Sequence, residues 1–539
     1  MIHEPRHDHE QGQERGREQD WEQDWDLIVV GAGSAGAALA ARSAAKGKRV
    51  LLLEAGPDHR SSQLSEVWRL PNPLRALGDP AAGRSLLQQG LTARRTEVQP
   101  PLPYLQGRGV GGSSTVNGQI AIRPPMEDFD DWARAGCTGW SPRDVLPYFA
   151  RLEDDAQYGG EPGHGRGGPI PVTRTPAAAW GAVDRALYET ALAAGYGWAP
   201  DVNAPGATGV SPYPVNSRGG RRVTTNDGYL EPQRENPLLT IRCEATVDRV
   251  LLSGRRATGV RYLTGGRVRE ARADRVVLSA GAVHSPAILQ RSGIGPADGL
   301  RALGIAPVVD LPVGAGLQDH PLSIIGLPLA EPWAAGADDR YTNVCVRYTS
   351  GGPGGQPNDM MFVACNQNVL ALARADTGRG AGAILVWVNQ VYARGQVVLR
   401  SADPTALPFL DQRMLSDVRD LQRLRDGVRT LLELARARPV AELGDGRFDE
   451  VNAELLAAVD DDGALDGYLL RTAGDGQHPT SSCRMGDPAD PATVVDPGGR
   501  VLGTEGLYVA DASVLPSCPR SNTNLVSIMV GELTADRLD

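Results

Sequence analysis

Asp26-Leu27-Ile28-Val29-Val30-Gly31-Ala32-Gly33-Ser34-Ala35-Gly36 is the stretch that decides the fold of this chain. Its apolar run reads as a buried parallel strand. A Gly-x-Gly-x-x-Gly turn follows, then an Ala-rich helix to about Ala45 and a second strand, Arg49-Val50-Leu51-Leu52-Leu53-Glu54. In such a βαβ unit the glycines let backbone approach a pyrophosphate at the helix N-terminus. Glu54, closing the second strand, accepts from an adenosine 2′-hydroxyl. A carboxylate there repels a 2′-phosphate, which disfavours NADP. The fingerprint alone does not separate NAD from FAD.

A second Gly-rich segment bears on that choice: Gly107-Arg108-Gly109-Val110-Gly111-Gly112-Ser113-Ser114-Thr115-Val116-Asn117-Gly118. Small residues and hydroxyls beside Asn117 make a backbone surface that lies flat against a rigid ring and hydrogen-bonds its heteroatoms. Further along, Leu239–Arg242, Thr246–Leu252, Thr258–Leu263 and Arg275–Leu278 alternate as strands, and a helix is expected near Ser285-Pro286. Residues 60–106 lack periodicity and read as extended cover. Ala182–Ala194 reads as a helix, and Asp359–Ala364 and Ile384–Val388 as strands. Ser416 is the expected cap of a long amphipathic helix to about Arg438.

Composition limits the function. A chain of 539 residues exceeds one ordinary core, so two interleaved domains are expected. A net charge of −10 argues against a nucleic-acid partner. No apolar run approaches the ~20 residues of a membrane span. The only lysines, Lys46 and Lys48, follow the first helix, which argues against Schiff-base or P-loop chemistry. Six scattered cysteines without a CxxC pair predict a reduced, cytoplasmic protein and no metal framework. Residues 1–25 are almost devoid of apolar side chains and read as a disordered tail.

Near the other end stands Gln477-His478-Pro479-Thr480-Ser481-Ser482-Cys483, and later Ser521-Asn522-Thr523-Asn524. His478 precedes a proline and follows Gly474-Asp475-Gly476, so it is expected on a loop. A histidine near its ordinary pKa of ~6.5 accepts an alcohol proton at neutral pH. The segment Leu525–Leu538 reads as a helix whose positive N-terminal end stabilises nearby negative charge.

Beyond residue 25 the chain resembles the glucose–methanol–choline flavin oxidoreductases almost throughout. The resemblance rests on the two Gly-rich segments, Gly281-Ala282-Val283-His284-Ser285-Pro286 through Gly295, Leu317-Gln318-Asp319-His320-Pro321, the His478 segment, and Gly506-Leu507-Tyr508-Val509-Ala510-Asp511-Ala512-Ser513. Within that family, Asp155–Pro171 and Val386-Trp387-Val388-Asn389 look like bacterial 5-hydroxymethylfurfural oxidases, which resemble aryl-alcohol oxidases.

The resemblance implies an α/β fold. A Rossmann-like FAD-binding domain (26–158, 216–320 and 470–539) is interleaved with a substrate domain on an antiparallel sheet with helices (159–215 and 321–469). It implies FAD held by Gly31, Gly33, Ser34, Ala35, Gly36, Glu54, Gly112, Ser113, Asn117, Val247, Asp511 and Asn522. Some members carry a histidine bonded to the flavin at the position of Val116, so here FAD is expected to be non-covalent.

His478 is the implied base and Asn522 the group that orients the alcohol while hydride passes to flavin N5. Trp387 and Gln477 are implied in the substrate pocket. The implied substrates are primary alcohols, aromatic or furanic, with oxygen or a quinone-like acceptor reoxidising the flavin. A hydroxynitrile lyase, a choline or aliphatic alcohol dehydrogenase, and a non-catalytic flavoprotein remain as alternatives. The chain departs from close furfural-oxidase relatives at Gln477, where they carry an aromatic residue. It departs again where Leu525-Val526-Ser527 replaces the usual x-Pro-Thr.

Overall fold

The computed structural model describes residues 24–72, 74–78, 85–336, 338–367 and 381–539. The expected tail at 1–23 lies outside the described residues. Its boundary at 25 is corrected, because Trp25 opens the first strand and is 5% exposed.

The decisive stretch folds as β1 (Trp25–Val30), α1 (Ser34–Ala45) and β2 (Val50–Leu53). β1 lies between β2 and the strand Arg267–Leu278, parallel to both. Leu239–Arg242 extends the parallel sheet beyond β2, and Leu507–Val509 joins it from the far end of the chain. Leu27, Ile28, Val29 and Val30 are all buried, because the sheet is covered on both faces. Strand Arg267–Leu278 is longer than the expected 275–278. Its first half pairs antiparallel with Arg256–Thr264, and its second half runs parallel to β1.

The C-terminal helix, Asn524–Arg537, packs against α1. Small residues permit this close approach. A Cβ on Gly531 would sit 2.2 Å from the Ala35 carbonyl oxygen.

A second, six-stranded sheet is antiparallel throughout, in the order 474–475, 321–328, 381–388, 360–365, 344–348, 209–212. The period of two decides its faces. Ile384, Val386 and Val388 pack on the helices Val418–Arg436 and Ala182–Ala193, while Ala383, Leu385 and Trp387 face the opposite side with Leu322 and Val363. That opposite side is a wall of the large cavity described below.

Three local expectations shift. The long helix is capped by Asp417, whose side chain accepts from Arg419 N (3.0 Å), and not by Ser416. The helix expected near Ser285 begins at Gly281, whose N–H is held by Asp511 Oδ2 at 2.9 Å. Short helices at Glu66–Arg69 and Leu74–Gly78 interrupt the expected extended cover. Among the described residues no helix is long and apolar enough to cross a membrane.

The contact between the chain's two ends is testable. Gly531→Val drives a side chain into the α1 backbone and is expected to destabilise the fold by ~1–3 kcal/mol, as overpacking does. Thermal unfolding reads this as a lower Tm. An unchanged Tm would refute the packing.

Candidate active site

One cavity of about 2020 Å³ runs along the C-terminal ends of β1 and β2 and ends against the second sheet. This exceeds the ~300–1,000 Å³ of most small-ligand pockets and leaves room for a dinucleotide beside a substrate. Gly31, Gly33, Ser34, Ala35, Glu54, Gly112, Ser113, Asn117, Val247, Asp511 and Asn522 all line it. Gly36 does not. Its hydrogen is needed inside the turn, where a Cβ would lie 1.9 Å from the Gly31 carbonyl oxygen. Likewise a Cβ on Gly112 (φ +51°) would sit 2.7 Å from Gly33 Cα, so the two Gly-rich segments touch through backbone alone.

The polar groups around this end have spare capacity for a ligand. Glu54 accepts from Ala32 N (2.9 Å), Gly56 N (2.9 Å) and Gly109 N (3.0 Å). A carboxylate accepts about four hydrogen bonds, which leaves one for a ribose hydroxyl. Burial raises its pKa against the lowering effect of these three N–H groups. Asp511 holds Gly281 N, Ser285 Oγ (2.6 Å) and Ser513 N (2.8 Å), so it also organises the neighbouring helix start. Ser34 Oγ donates to Asn524 Oδ1 (2.9 Å), and Asn524 Nδ2 is buried without a hydrogen-bond partner. Buried polar groups rarely stay unpaired. A cavity of this size, a backbone-lined glycine cradle and an orphaned donor fit a flavin adenine dinucleotide.

At the far end stands His478, 8% exposed, on a loop as expected. A chain of hydrogen bonds decides where its proton sits. The carbonyl of Pro519 only accepts, and it lies 2.9 Å from His320 Nε2, so that nitrogen carries hydrogen. His320 Nδ1 is therefore an acceptor, 2.9 Å from His478 Nδ1, which must donate to it. His478 Nε2 is left unprotonated, and its lone pair accepts from Asn522 Nδ2 at 3.1 Å. Tyr213 OH donates to Asn522 Oδ1 (2.7 Å), which turns the amide nitrogen toward the histidine.

Asp319 anchors the pair from behind. Its Oδ1 accepts the backbone N–H of both His320 and His478 at 2.8 Å, and its Oδ2 takes Tyr104 OH (3.1 Å) and Gln412 Nε2 (3.2 Å). Burial, and then the charge of Asp475, push its carboxyl well above the usual range.

Burial and the adjacent His320 hold His478 well below the ordinary histidine range, unlike the near-ordinary value expected from sequence. Burial takes His320 down to about 4. Both rings are therefore neutral at pH 7.

Trp387 reaches the place expected of it, with its ring 5.4 Å from that of His478. Gln477 also lines the cavity, but its amide is engaged: Oε1 accepts Leu105 N (3.1 Å) and Nε2 donates to Asp475. It straps the segment at 102–105 to the histidine loop and takes the left-handed φ of +58° to do so. From the sequence, Asp319 and His320 stand only within a motif of the resemblance, and Tyr213 and Asn524 have no assigned role. The Asp319-His320 pair in the Leu317–Pro321 motif was the one available signal.

Fold and site together describe a dinucleotide-sized cavity with a buried, unprotonated imidazole nitrogen at its end. The GMC oxidoreductase family models match residues 25–322 and 391–531, and the chain belongs to that family. It is 36% identical over 532 residues to 5-(hydroxymethyl)furfural oxidase of Methylovorus sp. (strain MP688), covering 95% of this chain and 98% of the relative. It is 37% identical over 552 residues to an oxygen-dependent choline dehydrogenase of Ectopseudomonas mendocina (strain ymp), covering 95% and 94%. Among solved structures, pyridoxine 4-oxidase from Mesorbium loti superposes with a TM-score of 0.84 at 27% identity, covering 95% of this chain and 99% of that one. The chain is thus an FAD-dependent oxidoreductase acting on alcohols.

Val116 lines the cavity and offers no nucleophile for a bond to the flavin. Acid precipitation of the holoprotein is expected to release the yellow chromophore into the supernatant. Colour retained in the pellet would show a covalent link.

Proposed function

We propose that this enzyme oxidises primary alcohols, aromatic or furanic ones preferred, to aldehydes, with His478 as base and Asn522 as orienting group. The observation that carries the proposal is the unprotonated Nε2 of His478, held beside the Asn522 amide. FAD bound in this cavity would supply the acceptor for the substrate's α-hydrogen, transferred as hydride. His478 Nε2 takes the hydroxyl proton as the hydride leaves, and its Nδ1–H stays on His320. Asn522 Nδ2 donates to the alcohol oxygen and keeps it in line with the base.

The same reading assigns cofactor binding to 26–158, 216–320 and 470–539, and substrate binding to 159–215 and 321–469.

Substrate class follows from the walls. Trp387, Leu322, Leu385, Ile324 and Val363 give an aromatic and aliphatic surface next to the base. Asp475, at the end of the short strand three residues before His478, is paired with Arg95 at 2.6 Å. That pairing favours an uncharged alcohol over a quaternary ammonium such as choline. The name of the Methylovorus relative supports a furanic substrate and oxygen as acceptor. A quinone-like acceptor is separated from oxygen by measuring oxygen consumption and dye reduction in parallel on an alcohol panel. A lyase-only role predicts no anaerobic bleaching of the flavin by any alcohol.

Loss of a general base costs ~10²–10⁴-fold, so His478→Ala is expected to slow anaerobic flavin reduction by ~10²-fold or more. A wild-type rate in that variant would reject the role.

The lowered pKa of His478 also sets a pH profile. The neutral, active form persists as pH falls through 6.5, so the reduction rate stays level from pH 8 to 6.5 and declines only below. An acid limb centred at or above 6.5 would contradict the buried, neutral imidazole.

A further inference from the structure

Arg222 is 2% exposed, and all its acceptors are neutral. Its Nε donates to Trp68 O (2.9 Å), Nη1 to Ser114 O (3.0 Å) and Asn117 Oδ1 (2.7 Å), and Nη2 to Asn117 O (2.6 Å). Among the described residues it forms no ion pair. Asp227 is the carboxylate whose field reaches it, and that carboxylate is spent on Thr224.

A second guanidinium, Arg340, stands nearby. It donates to Gln119 Oε1 (3.2 Å), its Nη1 has no hydrogen-bond partner among the described residues, and burial lowers it to about 10. Burial takes Arg222 down to about 9, with Arg340 adding to the shift, so both remain cations at neutral pH. Burying a charge without a counter-ion is expensive. Two such charges behind one short segment call for an anion to offset them.

That segment is Ser114–Gln119, with Arg222 on Ser114 and Asn117 and Arg340 on Gln119, and Asn117 lines the cavity. An arginine only donates, so Asn117 must turn its oxygen toward Arg222. Gln119 N occupies the same oxygen at 3.0 Å. The Asn117 amide nitrogen is left with both hydrogens free for the cavity.

We propose that Arg222 is a positioning residue for the flavin. It fixes Asn117 as a hydrogen-bond donor and sets an unpaired positive charge behind the ring, which makes the bound flavin easier to reduce. Two-electron reduction with one proton at N5 leaves the isoalloxazine one negative charge. A fixed, buried cation stabilises that charge selectively over the neutral oxidised form.

The proposal rests on FAD lying in this cavity; the flavin spectrum of the wild-type holoprotein checks that the cofactor is bound before any variant is made. The test compares the midpoint potential of the flavin in wild type, Arg222→Gln and Arg222→Lys, by anaerobic titration against a reference dye near pH 7. Arg222→Gln is expected to keep FAD and to make two-electron reduction at least tenfold less favourable, a fall of ~30 mV. Arg222→Lys, which keeps the charge but not the planar fork, should recover most of the loss while binding FAD more weakly. A change under twofold in Arg222→Gln, or equal losses in both variants, overturns the proposal. Should Arg222→Gln fail to fold, Arg340→Gln serves in its place. It is expected to lower the potential by a smaller amount in the same direction, and an unchanged potential there also overturns it.

Discussion

The carbonyl of Pro519 is the constraint on which this active site depends. A backbone oxygen has no proton to give, so one 2.9 Å contact fixes the tautomer of His320, and His320 in turn fixes that of His478. Everything useful about His478 follows from that order. A free imidazole divides its proton between two nitrogens, whereas here the lone pair is committed to the nitrogen beside Asn522. Asp319 adds the positional half by tying the backbone of both histidines to one carboxylate. Direction and register are thus set by groups that never touch a substrate.

The electrostatic design divides along the cavity. At the His478 end both imidazoles are buried and neutral, and Asp475, three residues before His478, is paired with Arg95. Beside 114–119, by contrast, two cations have no ion pair among the described residues, and the N-terminus of the helix Asn524–Arg537 faces the same space. Under the proposed reaction, that separation would let a proton be accepted at one end and negative charge be stabilised at the other.

Much of this was legible in the chain because local pattern carries it. The strand–glycine–helix unit, the period of two in 381–388 and the C-terminal helix are written in consecutive residues. The resemblance supplied Asp511, Asn522 and Trp387, which all reach the cavity.

What was not legible depends on contacts far apart in sequence. His320 meets His478 across 158 residues, and Tyr213 meets Asn522 across 309. Gln477 read as a pocket wall, yet a backbone N–H at Leu105 claims its side chain, which periodicity does not reveal. Gly36 was grouped with cofactor ligands because the fingerprint contains it, although its role is to let the turn close on Gly31. The shift of the helix cap from Ser416 to Asp417 has a similar cause. Both residues are good caps, and only backbone geometry chooses between them.

Nitrogen-15 NMR of the holoenzyme, labelled at histidine and assigned by comparison with His478→Gln, tests the tautomer directly. At neutral pH the account predicts a protonated Nδ1 and an unprotonated Nε2 on His478. A proton on Nε2 would contradict it, because the nitrogen facing the alcohol would then have no lone pair to offer.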